Sequence, residues 1–471
     1  MMARDYDVVV VGSGGDGLTA AIMADEAGAT VLMLEAGQKP GGSTALAGGV
    51  FLAAGTSVQR AAGIEDSPDA LYEIYMAYNR WVLEPALVRA YCDGARETIE
   101  WLIGLGVEYK PEALYNSSIA SISRGHVPTG YGQEYLDILH GRATTLGTEF
   151  VANTRVTRLL VEDGRVVGVH ADGQDIRAGA VVLACGGLGN ADPEMLRTYY
   201  PDAIQHGDWH CYLGPDTNRG DGITLGLQAG GVVARTTINR GLVSLAPHFD
   251  QREAEGFLPS WLMFVNREGR RFMNEDAPYA VAGDLVNDQT DKTCFAIFDH
   301  YIFMNANGKG HFDTGMIGTE CPNWEHSVFE RNLAKGRIQK ADTLEELGAK
   351  IGVHPGALQA NVERYNGFVE QGRDAQFFKE MKGSLKIAEA PFYATEVRAT
   401  TVPMSSVGLQ IDVDGRVHDA SDRPIPGLYA AGEAAGGVAG FYLGGGNGIG
   451  PPAVFGRIAG AHAGRYVKTL D

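Results

Sequence analysis

Between Asp7 and Glu35 the chain spells one supersecondary unit. Asp7-Val8-Val9-Val10-Val11 is a short apolar run of the kind found in strands buried on both faces. Gly12-Ser13-Gly14-Gly15-Asp16-Gly17 comes next and matches GxGxxG, then a helical pattern from Leu18 to Ala27 stops at Gly28. A second apolar run, Thr30-Val31-Leu32-Met33-Leu34, ends at Glu35. Strand, glycine turn, helix, strand and terminal acid make a dinucleotide-binding unit. The glycines bring backbone N–H groups and a helix N-terminus up to a pyrophosphate, and Glu35 can accept both hydroxyls of a ribose. This unit commits the chain to an α/β fold with a doubly wound, Rossmann-like sheet.

The segments just after Glu35 select the dinucleotide. Ala36 and then Gly41-Gly42-Ser43-Thr44 and Ala47-Gly48-Gly49 add close-approach backbone there, which suits FAD better than NAD. Residues 148–184 read as short strands with turns at Asp163-Gly164 and Asp172-Gly173, a β-meander inserted into the sheet. The meander closes in Ala180-Val181-Val182-Leu183-Ala184-Cys185-Gly186-Gly187, another buried strand meeting a glycine turn. Near the other end, Gly427 to Ala431 reads as a strand leading into Gly432-Glu433, and Gly448-Ile449-Gly450-Pro451-Pro452 opens a helix to about Gly464. Proline is favoured in a first helical turn, and such a helix start, with free N–H groups and a positive dipole, suits the N1/O2 edge of a reduced flavin. Cofactor segments at both ends make the FAD-binding domain discontinuous, 1–234 and 396–471. An α+β capping and catalytic domain, 235–395, is inserted between them.

Composition closes off other classes. Lys and Arg total 39 against 58 Asp and Glu, a net charge of −19, which opposes nucleic acid or an anionic membrane as partner. No run of 18 apolar residues offers a membrane span, and the start runs into the first strand without a signal-peptide core. Five scattered cysteines without a CxxC pair fit a reducing, cytoplasmic setting and no metal site.

Taken in order, several pieces resemble the fumarate reductase/succinate dehydrogenase flavoprotein superfamily over nearly the whole chain. They are GSGGDG, Glu35, GGST, Ser123 to Thr129, VVLACGG, Gly220-Asp221-Gly222, the segment Val265 to Glu275, and GLYAAGE with FGRIAG. The resemblance implies FAD, held by these segments and by Val156 and Asp221. The attachment is expected to be non-covalent, since Gly42-Ser43-Thr44-Ala45 has no histidine where some relatives bond the flavin. The departures point to the substrate. Fumarate reductases have an Arg after Asn-Glu, where Asn274-Glu275-Asp276-Ala277-Pro278 leads here to Tyr279. They have a second Arg before Gly-Gly-Asn, where the loop here reads Gly440-Phe441-Tyr442-Leu443-Gly444-Gly445-Gly446-Asn447, and a His-Thr-Met-Gly-Gly run, where Pro403 to Gly408 has no histidine. A neutral phenol is poorly suited to a dicarboxylate, for which bidentate Arg is the effective partner.

Tyr279 and the Tyr-x-Gly-x-Gly loop resemble the 3-ketosteroid dehydrogenase branch. That resemblance implies Tyr279 as the base beside a ketone, with the Tyr442 hydroxyl and the Gly446 N–H holding the ketone oxygen. The extra tyrosine of Δ1-type enzymes has no match beyond Tyr115, so Δ1 against Δ4 stays open. The expected substrate is a small apolar ketone, a 3-oxosteroid first and a smaller cyclic ketone second, with an unknown electron acceptor. An enoate reductase of the fumarate or urocanate type, and a flavin subunit that needs a partner for chemistry, are the rivals. Arg124 and His126 read as structural, Trp209, His210 and Tyr212 as equally pocket or packing, and His248 as a solvent-facing loop residue. Cys185 reads as a small filler beside the cofactor, and the run Lys379 to Lys386 as a solvated face.

Overall fold

Four valines in a row can be buried only where strands flank them on both sides, and Val8, Val9 and Val10 are fully buried. The strand Tyr6–Val11 pairs in parallel with Val31–Leu34 on one edge and Gln174–Leu183 on the other. The sheet extends through Glu149–Val151 beyond the second strand and through Pro424–Ala430 and Arg416–His418 beyond the third. The computed structural model describes residues 4–116, 121–249, 258–309 and 320–470. The chain divides into two compact units. The first holds this sheet and comprises Met1–Asp202, Gly214–Leu242 and Pro403–Asp471; the second comprises Ala203–Leu213 and Val243–Val402.

In the first unit the meander is Val156–Glu162, Arg165–Ala171 and Gln174–Leu183, antiparallel in sequence. Both Asp-Gly turns have positive φ at each residue, the geometry of tight hairpins, where Asp tolerates and Gly prefers the left-handed region. Helix Gly15–Glu26 packs on Gly450–Val467 through a stripe of glycines. A Cβ on Gly456 would sit 2.2 Å from Thr19 Oγ1, and one on Gly460 would sit 2.0 Å from the Ala20 carbonyl. Gly17 likewise lies against the Gly12 carbonyl, where a Cβ would come to 2.1 Å, so helix and strand touch backbone to backbone.

In the second unit the long strand Phe392–Ser405 pairs antiparallel with Cys294–Phe298 and Ile338–Ala341 and in parallel with Cys211–Tyr212, while Met263–Val265 pairs with Cys294–Phe298. Its core is aromatic: Phe298 stacks on Phe329 at 4.9 Å and on Tyr393 at 5.6 Å. Beside it lies a buried charge network. Arg271 is bidentate to Glu275 (2.8 and 2.7 Å) and reaches Asp374 at 2.8 Å. Lys379 donates to the Leu262 carbonyl at 2.7 Å and lies 3.6 Å from Glu275. The sequence reading of Lys379 as part of a solvated face is therefore corrected: it is 3% exposed, because a buried carboxylate more than a hundred residues upstream needs a second cation. Among the described residues, no helix is long and apolar enough to cross a membrane, and no cluster of His, Cys, Asp and Glu is set to hold a metal.

Candidate active site

One cavity of about 1460 Å³, its open mouth included, lies wholly among residues of the first unit. Its lining is drawn from three separate stretches of the chain, the arrangement an extended ligand needs. Its wall brings together Gly12, Ser13, Gly14, Asp16, Glu35, Ala36, Gly42, Ser43 and Thr44 from the first segments. Val156, Ala184, Cys185, Gly186 and Asp221 join from the middle of the chain, and Gly432, Glu433, Tyr442, Gly448 and Ile449 from its later part. Gly15, Gly17, Gly48, Gly49 and Gly446 are not part of that lining. Gly49, for example, has φ +70° and packs on the Tyr131-Gly132 backbone. Tyr279 is the first residue of helix Tyr279–Asn287 in the second unit, half-buried behind Pro278.

Glu35 sits at the end of its strand, and its carboxylate is already engaged. Oε2 accepts from the Ser13 N–H (3.0 Å) and hydroxyl (2.6 Å), and Oε1 accepts from the Gly37 N–H (2.6 Å). A carboxylate has about four acceptor positions, so this geometry leaves one for a ribose hydroxyl, where the sequence suggested two. Arg155 and Thr217, which sequence reasoning missed, line the same stretch; Arg155 pairs with Asp221 and also donates to the Thr217 carbonyl at 3.4 Å. Asn218, also missed, donates to Ser43 Oγ at 3.0 Å. No local pattern marks these residues, since each works through a partner distant in sequence.

At the start of helix Gly15–Glu26 no side chain caps Gly14, and the Gly15 N–H is taken by Thr44 Oγ1 at 3.1 Å. Asp16, in that first turn, is 7% exposed with a Gly432 Cβ position only 1.8 Å from its Oδ2. Burial pushes its carboxyl up to about 7, with the nearby carboxylates of Glu433 and Glu35 adding to the rise. Glu433 is pushed up to about 7 by the same burial, although its Oε1 accepts from the Ser405 N–H at 2.9 Å. It is surrounded by protein, and solvent reaches it through the cavity it lines. Burial raises the Cys185 thiol too.

The helix Gly450–Val467 differs from expectation at its first turn. Pro451 and Pro452 have no N–H, and those of Ile449 and Gly450 bond the Gly446 carbonyl at 3.3 and 2.8 Å. Gly448, on the cavity wall, keeps an N–H without a backbone partner, so this helix start presents its dipole and few donors.

Arg124 and His126 are engaged within the protein. Arg124 is bidentate to the buried Asp66 at 2.8 Å, and His126 bonds Thr56 Oγ1 at 2.7 Å while burial lowers its ring to about 4. In the second unit His248 is stacked on Trp209 with ring centres 4.4 Å apart, and Arg398 covers that indole at 4.9 Å, so this histidine is not a bare loop side chain. His210 bonds the Ala203 carbonyl at 2.8 Å, and Tyr212 lies in the short strand paired with Phe392–Ser405.

Residues 7–449 match the family described as FAD binding domain. The chain belongs to the FAD-binding flavoproteins of the fumarate reductase/succinate dehydrogenase superfamily. It is 31% identical to a fumarate reductase (cytochrome) of Shewanella frigidimarina, over 98% of this chain and 77% of that one. It is 30% identical to a vinyl phenol reductase of Lactiplantibacillus plantarum, over 98% and 97%. Among solved structures, a 3-ketosteroid-Δ4-(5α)-dehydrogenase of Rhodococcus jostii in complex with 4-androstene-3,17-dione matches with a TM-score of 0.76, 28% identity and 98% coverage of both chains. The chain is thus a flavin-dependent oxidoreductase acting on carbon–carbon bonds. The cavity fits FAD on its own terms: an uncapped helix start, a terminal acid with one open acceptor position, and a buried carboxamide, Asn447, whose two polar atoms make no well-formed hydrogen bond among the described residues.

Proposed function

We propose that the protein adds or removes a C=C bond beside a carbonyl on a neutral, apolar substrate, with a 3-oxosteroid as the leading candidate. One observation carries the reading: the only cation on the cavity wall, among the described residues, is Arg155, and it is already paired with Asp221. Leu242, Met404, Val438 and Ala439 share the wall with Tyr442. A dicarboxylate finds no free guanidinium on that wall, since Arg80 and Arg240 lie over the Phe441 ring and outside the lining, whereas a ring ketone meets apolar surface and the Tyr442 hydroxyl.

Bound FAD supplies the hydride acceptor or donor for such chemistry. The chain's own residues supply the rest. Gly446 has φ +113° and lies so close to Leu52 that a Cβ would come within 2.5 Å of its N, so only glycine fits there. Its N–H has no backbone partner among the described residues, so in this reading it is the second donor with Tyr442. In this reading the Tyr442 hydroxyl and the Gly446 N–H hold the carbonyl oxygen as charge develops on it. Tyr279 takes the α-proton in desaturation, or gives it in the reverse direction.

The vinyl phenol reductase likeness favours a second reading in the same class, saturation of a neutral aryl alkene, for which the cation-free wall is equally suited. Anaerobic flavin bleaching distinguishes these. Saturated 3-oxosteroids should bleach the oxidised enzyme, and 3-oxo-4-ene steroids should re-oxidise the reduced one. Re-oxidation by fumarate at comparable rates would overturn the proposal, and re-oxidation by vinyl phenols alone would move it to the second reading.

A further inference from the structure

Asn447 is 1% exposed and lines the cavity, yet among the described residues neither its Oδ1 nor its Nδ2 makes a well-formed hydrogen bond, the Tyr75 hydroxyl lying beside it without good geometry. Unpaired buried polar atoms are rare in native proteins, and a carboxamide with both ends open calls for a partner that both donates and accepts. The side chain is not placed by chance. Its residue comes directly after Gly446, pinned against Leu52, and its own N–H bonds the Gly444 carbonyl at 3.4 Å. The next residue, Gly448, presents an N–H with no backbone partner on the same wall. Tyr75, whose hydroxyl lies beside the carboxamide, is fully buried and also without a well-formed hydrogen bond.

We propose that Asn447 recognises the pyrimidine edge of the flavin ring, its Oδ1 accepting from flavin N3–H and its Nδ2 donating to an adjacent flavin carbonyl. That edge alternates acceptor, donor, acceptor, so a carboxamide pairs with it through two parallel hydrogen bonds. The ribityl chain and the diphosphate offer no such donor and acceptor set side by side. The inference rests on membership of the FAD-binding family and not on the substrate reading above.

The test uses apoprotein titrated with FAD and with 3-methyl-FAD, whose N3 carries no proton, with flavin fluorescence as the signal. Wild type should bind FAD at least about tenfold more tightly than 3-methyl-FAD, a difference of about 1.4 kcal/mol. Asn447→Ala should bind FAD more weakly and discriminate between the two by no more than about twofold. Tyr75→Phe should keep the wild-type ratio. Because each ratio is taken on a single protein, a general loss of stability cancels. Equal binding of the two flavins by wild type overturns the proposal even if no variant folds. So does full discrimination by Asn447→Ala. Loss of discrimination in Tyr75→Phe to the same degree also overturns it, since the carboxamide would then serve only to hold that phenol.

Discussion

At the Glu35 end of the cavity, polar groups arrive largely engaged: the carboxylate holds three protein donors and keeps one acceptor position, Asn218 holds Ser43, and Arg155 holds Asp221. Toward Tyr442 the wall carries Leu242, Met404, Val438 and Ala439, and among the described residues its buried carboxamide makes no well-formed hydrogen bond and the Gly448 N–H has no backbone partner. A ligand entering the first end exchanges existing hydrogen bonds, and one entering the second completes missing ones. The first end is therefore suited to holding the cofactor, and the second to discriminating among ring atoms and substrates.

The sharpest way to break this division is to reverse charge at the satisfied end. Glu35→Arg should abolish flavin retention, read as loss of the yellow colour on desalting, because it removes the acceptor for ribose and for three protein donors. If Glu35→Arg retains a full complement of FAD, the ribose does not lie there. At the other end the expected effects fall on turnover. Tyr279→Phe and Tyr442→Phe should each slow single-turnover flavin reduction by roughly 10²-fold or more while FAD affinity stays within about twofold. A wild-type rate in Tyr279→Phe would move the proton-transfer role elsewhere.

Arg155→Ala should weaken FAD about tenfold, on the scale of one charge-assisted contact, and leave the rate of the loaded enzyme unchanged. The remaining effect concerns Asp16 and falls on stability alone. Its carboxyl titrates near 7 in the folded apoprotein and near 4 unfolded, so the native state holds the extra proton between those values. Apoprotein stability should thus fall as pH rises from about 4 to 7 and then level off, by at most about 1.4 kcal/mol per pH unit from this group. Urea titrations of Asp16→Asn should show a shallower fall; an unchanged slope would mean that Asp16 is ionised throughout.

The division of the cavity was only half visible in the sequence. The strands at Asp7–Val11 and Val31–Leu34, the acid at Glu35 and the helix near Gly450 are set by local patterns, so they could be read directly. The pairing of Arg155 with Asp221, or of Arg124 with Asp66, depends on which distant segments the sheet brings together, and no spacing encodes it. Lys379 misled for the same reason, because a lysine in a charged run looks solvated until its carboxylate partner is known. Asn447 was legible as a residue and not as a site: only its lack of partners singles it out, and that is a property of packing.

The glycine stripe that seats Gly450–Val467 against Gly15–Glu26 has a consequence for how the molecule is made. The helix that begins the nucleotide unit waits for a segment about 420 residues downstream, against which its glycine-lined face is built to close. On a ribosome adding roughly 5–20 residues each second, the early strands spend tens of seconds without that partner. Their valine-rich edges need shelter during that interval, and flavin has a finished site to enter only after the late helix has emerged.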